Sequence, residues 1–138
     1  MIGEVASGDQ ATAAQYNTVL AGPLGEIAQL GADVTLTTAN TWYDGPSLSL
    51  TAATWLLIAS VELSALGTIK IWDGTTAYGS GETIDEGTVV ALGRVTLGST
   101  TTIKVSASCW VGGTVMKAAT PANSAGNNAT SLVAIAVR

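Results

Sequence analysis

The feature that most constrains this chain is a change of texture near Asp33, where an Ala-rich leader patterned for helix gives way to Thr-, Val- and Gly-rich sequence patterned for strand. Ser7 and Gln10 are spaced as a capping box, and Asp9 suits a helix N-terminus, so the spacing predicts a helix over residues 9–21. Ala13, Tyr16, Leu20, Ile27 and Leu30 fall on one 3-4 series, but Pro23 interrupts it. Two short helices broken at Gly22-Pro23 fit that pattern better than one coiled coil. Neither is long enough to stand alone in water, so the arm is expected to pack on its own body, a sister chain or a larger particle.

After Gly31 the sequence alternates apolar and polar residues between turn signals. Strands are predicted over 34–38, 47–50, 54–63, 68–72, 75–78, 88–97, 101–110, 114–118 and 131–137. Asp44-Gly45 and Asp73-Gly74 are read as turns, the second as a hairpin. Short strands of this number with little helix predict an all-β fold, an antiparallel β-sandwich or jelly roll with a short N-terminal helical arm. Residues 1–33 would form the arm and 34–138 the body.

Two predicted strands break simple alternation. Trp55 to Ala59 and Leu132 to Val137 are apolar at successive positions, so a two-layer sandwich would leave one apolar face on each. Leu56, Ile58, Val133, Ile135 and Val137 are therefore the expected subunit interface. Composition agrees, because 47% of residues are hydrophobic and only 11% charged, against about 25% charged in ordinary soluble domains. Apolar surface in such excess is expected to be covered by other subunits.

Several functions find no support in the residues. No apolar run approaches the roughly 18 residues of a membrane span. Met1 is followed by Ile2, Gly3 and Glu4, with neither a basic nor an apolar leader region, so synthesis in a cytoplasm is expected. The five cations, Lys70, Arg94, Lys104, Lys117 and Arg138, are scattered through a chain of net charge -5, and no basic stripe for nucleic acid is present. The chain has no histidine and no Gly-x-Ser-x-Gly elbow, so no acid-base or nucleophilic apparatus is expected, nor a cofactor.

The remaining chemistry is sparse. Cys109, alone and inside an alternating run, reads as a small core residue. Glu82, Asp85 and Glu86 form an acidic loop whose oxygens would suit calcium, although the pattern matches no EF-hand and a solvated loop is the preferred reading. Asn128-Ala129-Thr130 matches a glycosylation sequon but reads as turn chemistry before the last strand. The aromatic set is Trp42, Trp55, Trp72, Trp110, Tyr16, Tyr43 and Tyr78. Trp42, Tyr43 and Trp72 sit beside turn signals and are the candidate glycan contacts, because a ring with a polar edge suits a pyranose face. The plainer reading puts Trp55 and Trp110 in the core and Trp42 and Trp72 at sandwich ends or subunit contacts.

The run from Thr41 to Leu50, Thr41-Trp42-Tyr43-Asp44-Gly45-Pro46-Ser47-Leu48-Ser49-Leu50, continuing into Ala53 to Ala59, resembles the opening strands of complement-type, tumour-necrosis-factor-like jelly rolls of tailed-phage structural proteins. Ile71 to Thr76 and Ala122 to Ser131 resemble later segments of that group, and Gly8 to Asn17 is similar to helical segments that open many phage tail and capsid-surface proteins. The resemblance implies a small, non-enzymatic virion component, commonly a homotrimer, displayed on the particle exterior. An arm of about 33 residues is too short for a fibre stalk, which favours a capsid decoration or cement protein bound to the major capsid protein, or another virion protein, through Ala13, Tyr16, Leu20, Ile27 and Leu30. The alternative is a tail-fibre or tail-tip knob that binds a host receptor or glycan.

Overall fold

The structure, a computed structural model, describes residues 25–119 and 129–137. Ten strands account for its regular elements: β1 (Gly25–Gln29), β2 (Val34–Leu36), β3 (Tyr43–Leu50), β4 (Thr54–Leu63), β5 (Gly67–Trp72), β6 (Ala77–Thr83), β7 (Gly87–Thr96), β8 (Thr101–Cys109), β9 (Thr114–Met116) and β10 (Ser131–Val137). Every pairing is antiparallel, and the strands form two sheets. One runs β3-β8-β5-β6. In the other, β7 lies along one edge of β4, and the opposite edge is shared by β10, with β1 beyond it, and by β9, with β2 beyond it.

Strand β4 shows why these residues make a sandwich. Trp55, Leu57, Ala59, Val61 and Leu63 alternate onto one face and are buried. Across the gap stand Leu50 of β3, Ile69 and Ile71 of β5, and Ile103, Val105, Ala107 and Cys109 of β8, all buried on the same period of two. The Trp55 indole N–H donates to the Thr51 carbonyl at 3.0 Å, so its single polar atom enters the core already satisfied. Cys109 is fully buried, its thiol 3.4 Å from the Leu36 carbonyl oxygen, which is the small core role expected of it.

Three local expectations are corrected. Gly25–Gln29 is a strand paired with Ser131 to Ile135, so the helical reading that included Ile27 and Leu30 gives way here. Five residues after a proline make a poor helix, and the open edge of β10 satisfies their backbone groups better. Asp44-Gly45 is a bulge inside β3, where the register with β8 shifts between Asp44 and Ser47, and not a turn between strands. Trp110 is half exposed, because the alternation that buries Cys109 turns the next residue outward at the end of β8. The expected helix over residues 9–21, with Ala13, Tyr16 and Leu20, lies outside the described residues.

The Asp73-Gly74 turn is present as expected. Gly74 takes φ of +98°, and the Asp73 carboxylate accepts the Thr75 and Thr76 backbone N–H groups at 2.8 and 2.7 Å and the Tyr78 hydroxyl at 2.6 Å. The two sheets also meet edge to edge at β6 and β7, and glycine permits it: a Cβ on Gly79 would overlap the Leu92 carbonyl oxygen, and one on Gly93 would lie 2.8 Å from the Tyr78 oxygen. The loops sort to two ends. Gly25, Val137 and the β3–β4, β5–β6 and β7–β8 turns share one end, and the β4–β5, β6–β7 and β8–β9 loops share the other.

Gly79→Ala is expected to lower the unfolding free energy by about 1–3 kcal/mol through overpacking, measured by urea denaturation. Gly87→Ala, which meets open space, should change it by less than about 0.5 kcal/mol. Equal effects of the two would show that the β6–β7 approach does not constrain the fold.

Candidate functional site

The outward faces of the two sheets differ in chemistry. On the β4 sheet the rungs align apolar side chains: Ile27 of β1 opposes Val133 of β10, which opposes Ile58 of β4, which opposes Leu92 of β7. In the next rung Ile135 opposes Leu56, which opposes Arg94. Val90 and Val137 extend the patch to either side. Ile27, Leu56, Val90, Leu92, Ile135 and Val137 are exposed, Leu92 to 63%. The five expected interface residues thus share one face, joined by Ile27, which the sequence pattern places in a helix, and by Val90 and Leu92 of β7. Glu62 lies two rungs beyond Ile58, and no acidic side chain enters the apolar rungs themselves.

The β3-β8-β5-β6 sheet presents a polar outward face with one aromatic cluster. Asp44 opposes Ser106 on β8, which opposes Lys70 on β5, and Lys104 opposes Trp72 one step along. Lys70 places its ammonium nitrogen 4.1 Å from the Trp42 ring centroid and 3.4 Å from that of Trp72. Lys104 reaches to 5.2 Å of Trp72 and forms an ion pair with Asp44 Oδ2 at 2.7 Å. Beneath them Ser106 is fully buried although it points outward. Its hydroxyl accepts the Trp72 indole N–H at 2.8 Å and donates to Asp44 Oδ1 at 2.7 Å. A chain of hydrogen bonds therefore fixes the Trp72 ring, the Asp44 carboxylate and the Lys104 ammonium together.

Charge distribution follows from that geometry. Burial pushes the Asp44 carboxyl up, but hydrogen bonds from Lys104 and Ser106 and the charges of Lys104 and Lys70 outweigh it, leaving the group below its ordinary value. Lys70 is lowered, first by burial and then by repulsion from Lys104. Both oxygens of Asp44 are occupied, and among the described residues Lys70 makes no ion pair.

The other candidate residues fall elsewhere. Tyr43 turns to the opposite side of β3 from Trp42 and Asp44, packs against the core, and joins Thr37 Oγ1 at 2.8 Å and the Thr38 N–H at 2.9 Å through its hydroxyl. Of the three candidate glycan contacts, Trp42 and Trp72 are brought together and Tyr43 is not. In the acidic loop Glu86 bonds Lys117 at 3.2 Å and Thr83 caps the turn at Asp85. Among the described residues no group of three or more acidic, cysteine or histidine side chains converges. Sequence reasoning missed Lys70, Lys104 and Ser106. Lys70 and Trp72 are two apart and so share a face, but Trp42 joins them only through the β3-β8-β5 register.

No family model matches the chain, and no curated protein matches it. Among solved structures it is similar to a Podospora anserina GH26-CBM35 β-(1,4)-mannanase, with 12% identity and a TM-score of 0.39 over 83% of this chain. The match spans 28% of the mannanase chain.

The Asp44 linkage gives a pH prediction. A carboxyl lowered on folding contributes stability that is complete above its unfolded value of about 3.9 and is lost as pH falls through the folded value. Asp44→Asn should therefore flatten the loss of Tm between about pH 4 and 2, by an amount worth less than about 1 kcal/mol because the ion pair is half exposed. Thermal unfolding across that range checks it, and identical pH profiles for parent and variant would remove Asp44 from the linkage.

Proposed function

We propose that this protein is a non-enzymatic structural subunit that self-associates through the outward face of the β4 sheet and serves on the exterior of a tailed-phage particle as a capsid decoration or cement protein. The observation that carries the self-association is the apolar row Ile27, Val133, Ile58 and Leu92 running across four strands. A second copy is the occupant this face fits best. Copies of net charge -5 repel one another, and a face whose apolar rungs hold no acidic group is where they meet at least electrostatic cost. Covering side chains that are already about half buried gains less than the ~1.5–3 kcal/mol of a fully exposed one, so the whole row has to act together, repeated around a symmetry axis.

The finer reading of the sandwich as a jelly roll is supported by its strand order. Successive strands β3 and β4, β4 and β5, β6 and β7, β7 and β8, and β8 and β9 sit in opposite sheets, as two wound Greek keys require. Homotrimeric symmetry and the phage setting are carried by the resemblance of the sequence. The polarity of the body is compatible with a foot and a free apex, because Gly25 lies at the end opposite the loops holding Ile84, Trp110 and Val111. Docking to the major capsid protein is assigned to the arm preceding Gly25. The second reading, a fibre or tail-tip knob that contacts a host glycan, is favoured by the Trp42 and Trp72 pair.

Light scattering on the purified protein should give the mass of three chains, and Leu92→Asp, placed on a side chain outside the core, should reduce it to one. A monomeric parent overturns self-association. Deletion of residues 1–24 should preserve the trimer and abolish binding to expanded capsids that lack the protein. Failure of the intact chain to bind such capsids would turn the assignment from capsid to tail.

A further inference from the structure

We infer that the outward face of the β3-β8-β5-β6 sheet carries a site for an acidic saccharide, in which Lys70 receives a carboxylate and Trp42 and Trp72 contact the sugar ring. The inference deepens the glycan reading above by naming the class of sugar, and it is independent of self-association, which uses the other sheet.

The argument begins with what the notch between the two indoles already holds. The Lys70 ammonium lies 4.1 Å from one ring centroid and 3.4 Å from the other. A neutral pyranose stacking on either facing surface would have to displace it and forfeit two cation–π contacts. An acidic sugar need not. Its carboxylate can meet the ammonium at the mouth of the notch, leaving the apolar C–H face of the ring to lie over the exposed part of Trp42, which is 38% accessible.

Charge points the same way. Lys70 and Lys104 are two of only five cations in the chain. Asp44 is the carboxylate within the cluster, and its oxygens are taken by Lys104 and Ser106. Two ammonium groups beside one committed carboxylate leave a local excess of one positive charge on a protein of net charge -5. An arriving carboxylate supplies the missing counter-charge, in a spot where partial burial makes it worth more than in open water.

The surroundings suit a polyol more than a simple anion. Ser80 opposes Lys70, Ser47 opposes Lys104, and Ser49 opposes Thr102, so exposed hydroxyls on this face flank the cluster. Their donors and acceptors can exchange with sugar hydroxyls without burying a new charge. The Trp72–Ser106–Asp44 hydrogen bonds hold ring and charges in place before any ligand arrives, which lowers the ordering cost of binding.

The test is affinity electrophoresis of the intact protein in gels containing polygalacturonate, polysialate, fully methyl-esterified polygalacturonate, mannan or polyglutamate. Retention by at least one of the two acidic polysaccharides, with little retention by the ester, mannan or polyglutamate, is expected. Lys70→Gln should weaken that retention at least tenfold, Lys70→Arg should largely preserve it, and Trp72→Phe should weaken it less than Trp72→Ala, with native mass and circular dichroism unchanged throughout. Equal retention by the methyl ester or by mannan overturns the acidic specificity while leaving a glycan site standing. Retention by polyglutamate to the same extent reduces the site to bare charge. No retention by any polysaccharide overturns both this inference and the glycan reading.

Discussion

Everything in this sandwich depends on β4 being apolar on both sides. Its inward row, from Trp55 to Leu63, is the spine of the core and is covered by the facing sheet. Among the described residues its outward row, Leu56 and Ile58, has no third layer over it. A single strand thus presents two apolar rows, one covered by folding and one that forms the surface proposed for self-association. The neighbouring strands share the arrangement: β10 and β7 send Leu132, Ala134, Val89 and Ala91 inward and leave Val133, Ile135, Val90 and Leu92 outside. The inward and outward rows are consequently coupled, since a register slip of one residue would exchange them.

Much of this was legible in the sequence because period-two alternation is a local signal. The bounds of β4 and β10 were readable to the residue, since Thr54 and Ser131 open apolar runs and β4 then continues in alternation through Ser60 and Glu62 to Leu63. The Asp73-Gly74 hairpin was equally plain, because an aspartate before a glycine provides both the side-chain cap and the positive φ. Other features depended on partners far away in the chain. Ile27 and Leu30, three apart, suit one face of a helix, and the edge of β10, more than a hundred residues later, makes Gly25–Gln29 a strand instead. Asp44-Gly45 has the composition of a turn, yet Pro46 and Ser47 continue the strand around a bulge. Trp110 follows a buried run and so looked buried, but the strand ends at Cys109 and the next position is half exposed.

The aromatic cluster shows the same division between local and distant information. The shared face of Lys70 and Trp72 follows from their spacing alone. Trp42 lies nearly thirty residues upstream, and the cluster exists because β8 passes between β3 and β5 carrying Ser106 and Lys104. Ser106 would have been read as a solvent-facing residue of a β-strand. It is fully buried between its rung partners Asp44 and Lys70, and it avoids an unsatisfied hydroxyl by accepting from Trp72 and donating to Asp44. One surface serine therefore becomes the fixed point on which the orientation of Trp72 and Asp44 rests.

The way the sheets end explains why association should use a face and not an edge. An exposed edge strand invites pairing with another chain, and each edge here is blunted. Strand β1 is five residues long and turns Glu26 to the inward side. Strand β3 is interrupted by the bulge and by Pro46, which has no N–H to offer. Strand β2 has three residues, and β6 and β7 lie against each other where Gly79 and Gly93 allow their backbones to touch. With lateral strand addition closed at these margins, the apolar face spanning β1, β10, β4 and β7 is the surface on which the proposed self-association rests, and the polar, Trp-bearing face of the other sheet is separate from it.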